Sequence, residues 1–410
     1  MPRLSRSSGG DFLRESTFET TVSAARNGSY DLASVRKALR DSLDSLEPLL
    51  PAIARPGHRV LVKVNLGCSG SRSPANRLTT HPAVAQAIIE ALLDCGARVS
   101  FGDDVSRAGQ YCEAVYKATG MAEVADRTGA TLIDFVATGA REIPSGLLFP
   151  SSYLVTNAYF ESDVVVNAAN CRSGPVIVGM SAAIKNMFGC VVGRRKQHIH
   201  DLFGSDQRQF ARAIADIHQA IPADISFLDM TTVLEGFGVT PAVQPVGLLL
   251  AGTDPVALDT VAAHSIGYER LPMWTTFYGH RQGIGCNDMD RIRIRGIEWS
   301  TFEKLHLRYP LIEGPARELP RARATRILNN TMFRQRPVID AGQCGGCGEC
   351  ADRCPVKCIS AGPGSVCKID LGRCVDCLCC TKVCETGAVH LEVVGAGRAF
   401  RRLIDYAATI

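Results

Sequence analysis

Apolar positions along the chain alternate between short unbroken runs and three- and four-residue spacings. Arg59 to Leu66 is one such run, interrupted by Lys63 and Asn65, and it predicts a buried strand. Thr80 and His81 stand before Pro82, which predicts a helix from there to about Asp94, ended by Gly96. Ala97 to Phe101 predicts the next strand, closing on Gly102-Asp103-Asp104. Strand, helix and strand over this length make a βαβ unit and a parallel pair. The rhythm continues with a helix over Glu113–Thr128 and strands at Ala130–Phe135 and Asp163–Asn167. A helix start follows at Ser181–Phe188, then a helix over Gln207–Ala220 and strands at Ile225–Met230 and Val246–Ala251. Thr253-Asp254-Pro255 opens a last helix, which runs to near Gly267. Upstream, Asp31 caps a helix to about Leu50, whereas residues 1–29 are polar and predict an arm with little order of its own.

Composition narrows the class. The net charge of +4 is too small to argue for nucleic acid, and no apolar run reaches the roughly 18 residues that span a membrane. Met1 to Gly10 carries Arg3 and Arg6 but no apolar core, so no secretory signal is expected. Seventeen cysteines point to a reducing compartment, the cytoplasm.

Eight of those cysteines form two runs, Cys344, Cys347, Cys350, Cys354 and Cys374, Cys377, Cys380, Cys384, each with x2, x2, x3 spacing. The second run lies thirty residues after the first. This spacing holds two [4Fe–4S] clusters, each taking three thiolates from one run and a fourth from the other. The expected ligands are Cys344, Cys347, Cys350 and Cys384 for one cluster, and Cys374, Cys377, Cys380 and Cys354 for the second. Zinc ribbons use paired C-x2-C but not two runs of four, and a disulfide framework suits a small secreted domain. Residues 336–392 resemble bacterial two-cluster ferredoxins, with Glu385 in place of the proline usual after the last cysteine. Cys358, Cys367 and Cys379 are extra, and the plain reading is spare buried thiols.

In a parallel sheet, ligands bind beyond the carboxyl ends of strands. Lys63 and Asn65 lie at such an end; Lys63 either binds an anion or donates a proton, or else snorkels at a sheet edge. His81 is a proton donor or a cap residue, and Asp103 and Asp104 bind a hydroxyl or cap a turn. Asp254 reads as structural. Lys185 and Asn186, with Arg194, Arg195, Lys196, His198 and His200, make the densest basic group before the cysteines. Recognition of a carboxylate or phosphate, or a solvated loop, explains that group; a metal on His198, His200 and Asp201 lacks a soft third ligand. Cys171 and Cys190 are reactive thiols or buried ones. Nicotinamide and P-loop fingerprints are absent, which leaves a flavin open. Six arginines between Arg317 and Arg336 make a solvated linker or a docking surface for an acidic partner.

Lys63-Val64-Asn65-Leu66, Thr79-Thr80-His81-Pro82, Gly102-Asp103, Lys185-Asn186-Met187-Phe188-Gly189 with His198, and Thr253 to Asp259 together resemble the domain of unknown function 362 family, over roughly residues 58–285. Its members are often described as iron–sulfur centre proteins, and many carry a C-terminal two-cluster segment. Asn170-Cys171-Arg172-Ser173 departs from the lysine-threonine-histidine stretch frequent there. The expected architecture is α/β with a mostly parallel sheet and flanking helices, plus a small ferredoxin-like α+β domain. The expected divisions are an N-terminal arm and helix (1–57), an α/β substrate-binding domain (58–290), a basic linker (291–335), and the cluster domain with a C-terminal helix (336–410). The expected activity is that of an iron–sulfur reductase. Electrons pass from an external donor, such as ferredoxin or a reductase, to an anionic small molecule, with double-bond reduction as one example. Lys63, His81, Lys185 and His198 are candidate proton donors; Asn65, Asn186, Arg194 and Arg195 are candidate substrate ligands. The alternatives are a non-catalytic electron carrier or a docking or assembly protein, and a non-redox enzyme with structural clusters. Oligomeric state is left open.

Overall fold

The computed structural model describes residues 20–46, 49–66, 77–105, 112–147, 150–173, 179–192, 196, 199, 207–235, 242–308, 335–352, 354, 357–360, 364–374, 379–382 and 384–393. Arg194, Arg195, His198, His200 and Cys377 lie outside the described residues, as does most of the arginine-rich stretch before Gln335.

Among the described residues the first elements are β1 (Thr20–Arg26), α1 (Leu32–Asp44), α2 (Leu49–Ile53), β2 (Arg59–Val64), α3 (Pro82–Asp94) and β3 (Arg98–Asp103). α4 (Cys112–Ala118), α5 (Met121–Thr128), β4 (Thr131–Asp134), β5 (Ala140–Pro144), β6 (Ser152–Thr156) and α6 (Asn157–Phe160) follow. Next come β7 (Val164–Ser173), β8 (Met180–Ser181), α7 (Ala183–Asn186), α8 (Gln207–Ala220), β9 (Ile225–Glu235), β10 (Ala242–Gly252), α9 (Pro255–Ser265), α10 (Trp274–Arg281) and β11 (Ile292–Arg295). Local signals hold these elements. Asp31 accepts from Ser34 N at 3.1 Å, and Asp254 accepts from Val256 N and Ala257 N at 2.9 Å each; both are helix N-caps.

Among the described residues, nine strands form one sheet in the order β11-β1-β10-β9-β7-β2-β3-β4, with β8 on β7. β2 is parallel to both β3 and β7, β3 to β4, β7 to β9, and β1 to β11. β10 runs antiparallel to β1 and β9. The sheet is therefore mixed and mostly parallel, with helices on both faces. On one face Val60, Val62 and Val64 pack with Ile88, Leu92 and Leu39 of α3 and α1. On the other, Leu61 and Val165 pack with Phe188, Phe210 and Ile214. A third apolar group joins β1, β9, β10 and α9.

Two expected divisions are corrected. Residues 20–26 are not an arm: Ser23 to Arg26 pair with Leu248 to Ala251, and the strand lies between β10 and β11. Its residues are small and weakly apolar, so the local pattern carries little strand signal, and distant partners decide it. Nor does the α/β unit stop at 290, because β11 joins the sheet and Phe302 and Leu307 are buried in the third apolar group.

The cysteine segment contains β12 (Gln335–Ile339), α11 (Glu349–Asp352), β13 (Ile359–Ser360), β14 (Lys368–Ile369), α12 (Cys379–Lys382) and β15 (Val389–Val393). β12 pairs with β15 and β13 with β14, both antiparallel. Ile359 faces Ile369, and thirty residues away in each direction Val389 faces Ile339. The sequence repeat is thus also a repeat of strand pairing.

Candidate functional site

The chain moves outward from β2 through β3 to β4, then returns to the other flank of β2 as β7. The order reverses between β2 and β7, and the carboxyl ends of these two strands bound the crevice where open α/β sheets bind ligands. Lys63 sits there, in register with Asn167 on β7 and Gly102 on β3.

Lys63 is fully buried in an interior strand, not at a sheet edge. Its Nζ lies 3.0 Å from Asp103 Oδ1 and donates to Val64 O at 2.6 Å and Asn186 Oδ1 at 3.2 Å. Three donors thus meet three acceptors, which is what a buried ammonium needs. Asp103 is 1% exposed, and Leu66 N donates to its Oδ2 at 2.7 Å. Burial alone would raise its carboxyl; the Lys63 and Lys196 charges, with the Leu66 N–H, outweigh that and hold it below the usual range. Asp103 Oδ1 also accepts from Asp104 N at 2.8 Å, so the carboxylate ties the end of β3 as well as pairing with Lys63. Asn186 Nδ2 donates to Lys63 O at 3.2 Å and to Asn167 Oδ1 at 2.7 Å, and Asn167 donates onward to Ala183 O and Ser226 Oγ.

Gly189 covers this pair so closely that a Cβ there would sit 2.3 Å from Asp103 Oδ1 and from Lys63 Cε. Only a residue without a side chain lets the Met187–Cys190 turn approach. That turn continues from α7, whose first N–H groups, of Ala183 and Ile184, donate to Asp259 at 2.8 and 3.1 Å. Burial pushes the Asp259 carboxyl up to about 7 despite these donors. Lys185 is half-buried beside Asn186. Toward the surface, Lys196 Nζ lies 3.8 Å from the buried Asp104, and over the Phe188 ring.

Asn65 and His81 stand on a second, adjoining network. Asn65 Nδ2 donates to Asn170 Oδ1 at 2.8 Å and to Leu78 O at 3.1 Å, and Thr80 Oγ1 ties Asn65 N to Ala168 O. His81 is the N-cap of α3, its Nδ1 accepting from Ala83 N at 3.2 Å, and its ring stacks on Tyr30 at 3.8 Å. Burial first, then the Arg77 charge, lowers His81 to about 4, which keeps its ring neutral. Arg77 also lies over Tyr30, 4.2 Å from the ring centre. The Tyr30 hydroxyl donates to the buried Asp229 at 3.0 Å. Tyr30, Asp229 and Asn167 carried no functional signal in a single sequence, because each matters only through a partner distant along the chain.

Cys171 and Cys190 are fully buried, and burial raises both thiols, Cys190 to about 12, so they are inert core residues. In the cysteine segment Cys350, Cys354, Cys358, Cys367 and Cys380 are buried together, with Cys344, Cys374 and Cys384 packed against them and Cys347 exposed. Cys350 is pushed up to about 12, first by burial and then by Cys367, with Cys344 and Cys347 also beside it. Cys358 lies beside Cys354 and Cys374. The N–H groups of Cys367 and Gly346 hold the Cys344 thiol below its ordinary value. Soft sulfur donors of this kind and number suit an iron–sulfur group. Among the described residues, no set of three or more His, Cys, Asp or Glu side chains is arranged to hold a metal ion.

This is a mostly parallel α/β protein with a sealed ion pair at the reversal point of its sheet. The family described as a domain of unknown function (DUF362) matches residues 60–264, and the chain belongs to that family. A thylakoid-associated protein of Synechocystis sp. is 31% identical over 265 residues, 64% of this chain and 80% of that relative. The lactate racemase apoprotein from Thermoanaerobacterium thermosaccharolyticum shares 10% identity at a TM-score of 0.41, over 63% of this chain and 59% of that one, a likeness too distant to bear on function. Among the described residues, no helix is long and apolar enough to cross a membrane.

Proposed function

We propose that the chain is an iron–sulfur oxidoreductase of the cytoplasm that reduces an anionic small molecule at the carboxyl ends of β2 and β7. What carries this reading is the doubled cysteine spacing, of which Cys350, Cys354 and Cys380 are buried together with Cys344, Cys374 and Cys384 packed against them. Cys344, Cys347, Cys350 and Cys384 hold one [4Fe–4S] cluster, and Cys354, Cys374, Cys377 and Cys380 hold the other. Bound there, the clusters supply single electrons of low potential.

The α/β residues supply charge and position. Lys63 is sealed, so in this reading it does not touch substrate; through Asn186 it orients α7 and the neighbouring Lys185. Lys185 and Lys196 offer cationic charge for a carboxylate or phosphate, and Arg194 and Arg195, next to Lys196 in sequence, are the further candidate ligands. A neutral His81 accepts its cap hydrogen bond rather than carrying a spare proton, which leaves Lys185 and His198 as donors. The completeness of the Lys63 and Asn186 network favours one other reading, an electron carrier or docking protein in which the α/β part recognises a partner.

Anaerobic purification with iron and sulfide counts, and spectra before and after anionic unsaturated compounds, tests the proposal. About eight irons per chain and substrate-dependent reoxidation are expected. The Cys347→Ser protein is expected to lose turnover while staying folded. Undiminished turnover in that variant would remove the electron relay from the account.

A further inference from the structure

The two halves of the cysteine segment follow one plan, and each serves as a control for the other. Asp370 Oδ1 accepts from Gly372 N at 2.9 Å, as Asp340 Oδ1 accepts from Gly342 N at 2.8 Å. Ser360 faces Lys368, as His390 faces Val338. On the first-half hairpin lies a groove of about 400 Å³, lined in part by Lys357, Cys358, Ser360, Lys368, Asp370 and Arg373. The repeat-related positions are Gly387, Ala388, His390, Val338, Asp340 and Gln343. The carboxylate is kept between halves, and all three cations are new to one of them. Asp370 keeps its negative charge while accepting from its own turn, so three cations face one carboxylate here, where the other half has the Asp340 carboxylate and none of those cations.

Two further observations mark this half. Lys357 has a left-handed backbone, with φ of 47°, where its repeat mate Gly387 has 69°. That conformation is costly for a residue with a Cβ, yet the chain carries a lysine there. At the base, Cys358 is buried with its sulfur 3.5 Å from that of Cys354, one of the cluster ligands of the proposed function; the other half has Ala388.

We propose that this groove is the docking surface for an acidic protein, the external one-electron donor. The donor's identity rests on the iron–sulfur reading above; the surface itself rests on the charge difference between the halves. A small, charge-led patch suits a transient encounter rather than a permanent interface.

The test uses the full chain and, as probe, an acidic bacterial two-cluster ferredoxin. Carbodiimide, which joins carboxylates to amines, is expected to link the probe to Lys357 and Lys368. At low salt, Lys357→Glu with Lys368→Glu should weaken binding at least about tenfold. Far-UV spectrum, iron and sulfide should match the parent. Gln343→Glu, the matching site in the other half, should change affinity less than about twofold. Unchanged affinity in the double lysine variant overturns the proposal, as does a loss seen instead on Arg321→Glu with Arg323→Glu. If the parent holds no iron, the cluster reading fails, and the binding measurement still decides the surface.

Discussion

Replacing Lys63 by methionine keeps nearly the length of the side chain and removes its charge. Asp103 is then left buried, 1% exposed, without its partner at 3.0 Å. At that distance the lost attraction is about 5 kcal/mol with an effective dielectric near 20. The protein has a cheaper escape, which is to protonate Asp103. From an ordinary carboxyl near 3.9, that costs about 4 kcal/mol at pH 7. Burial favours the neutral acid and lowers this ceiling, so the expected destabilisation is about 3–4 kcal/mol at pH 7, within the range for breaking buried pairs. The penalty should shrink by about 1.4 kcal/mol per pH unit as the pH is lowered toward 5, because protonation becomes easier. The double variant Lys63→Met, Asp103→Asn leaves no bare charge, but its one amide oxygen can accept from Leu66 N or from Asp104 N and not from both, so it should recover only part of the loss, about 1–2 kcal/mol. Urea unfolding followed by tryptophan fluorescence measures this, since Trp274 and Trp299 both lie in the α/β part. A single-variant loss under about 1 kcal/mol that is flat with pH would refute the sealed-pair account.

Gly189→Ala forces a Cβ to 2.3 Å from Asp103 Oδ1, so it should cost at least about 1–3 kcal/mol by the same assay. His81 and His218 both titrate near about 4 in the folded protein, each because burial disfavours the charged ring. The unfolded chain takes up these protons below its ordinary value of about 6.5, so stability should be full above that pH and fall toward pH 4. His218→Gln should flatten the slope in a pH series of unfolding midpoints. Asp31→Ala removes the acceptor for Ser34 N and should cost about 1 kcal/mol in urea unfolding.

Much of the fold was legible in local patterns. The β2 run, α3 behind Pro82, α8 over Gln207–Ala220 and the Asp254-Pro255 helix start lie where periodicity and caps put them. The cysteine repeat reappears as matched strand pairs. These features depend on residues close together in the chain, whose side-chain period and capping chemistry are read directly from neighbours. The tertiary structure alone decided three things. It drew Thr20–Arg26 into the sheet, where weak local propensity had suggested an arm. It turned Lys63 from a candidate ligand of an outside anion into half of an internal pair, through Asp103 and Asn186. It also showed why Gly189 must lack a side chain. In all three the energy lies in contacts between residues far apart in sequence. A buried charge in particular takes its meaning from the partner that folding brings to it.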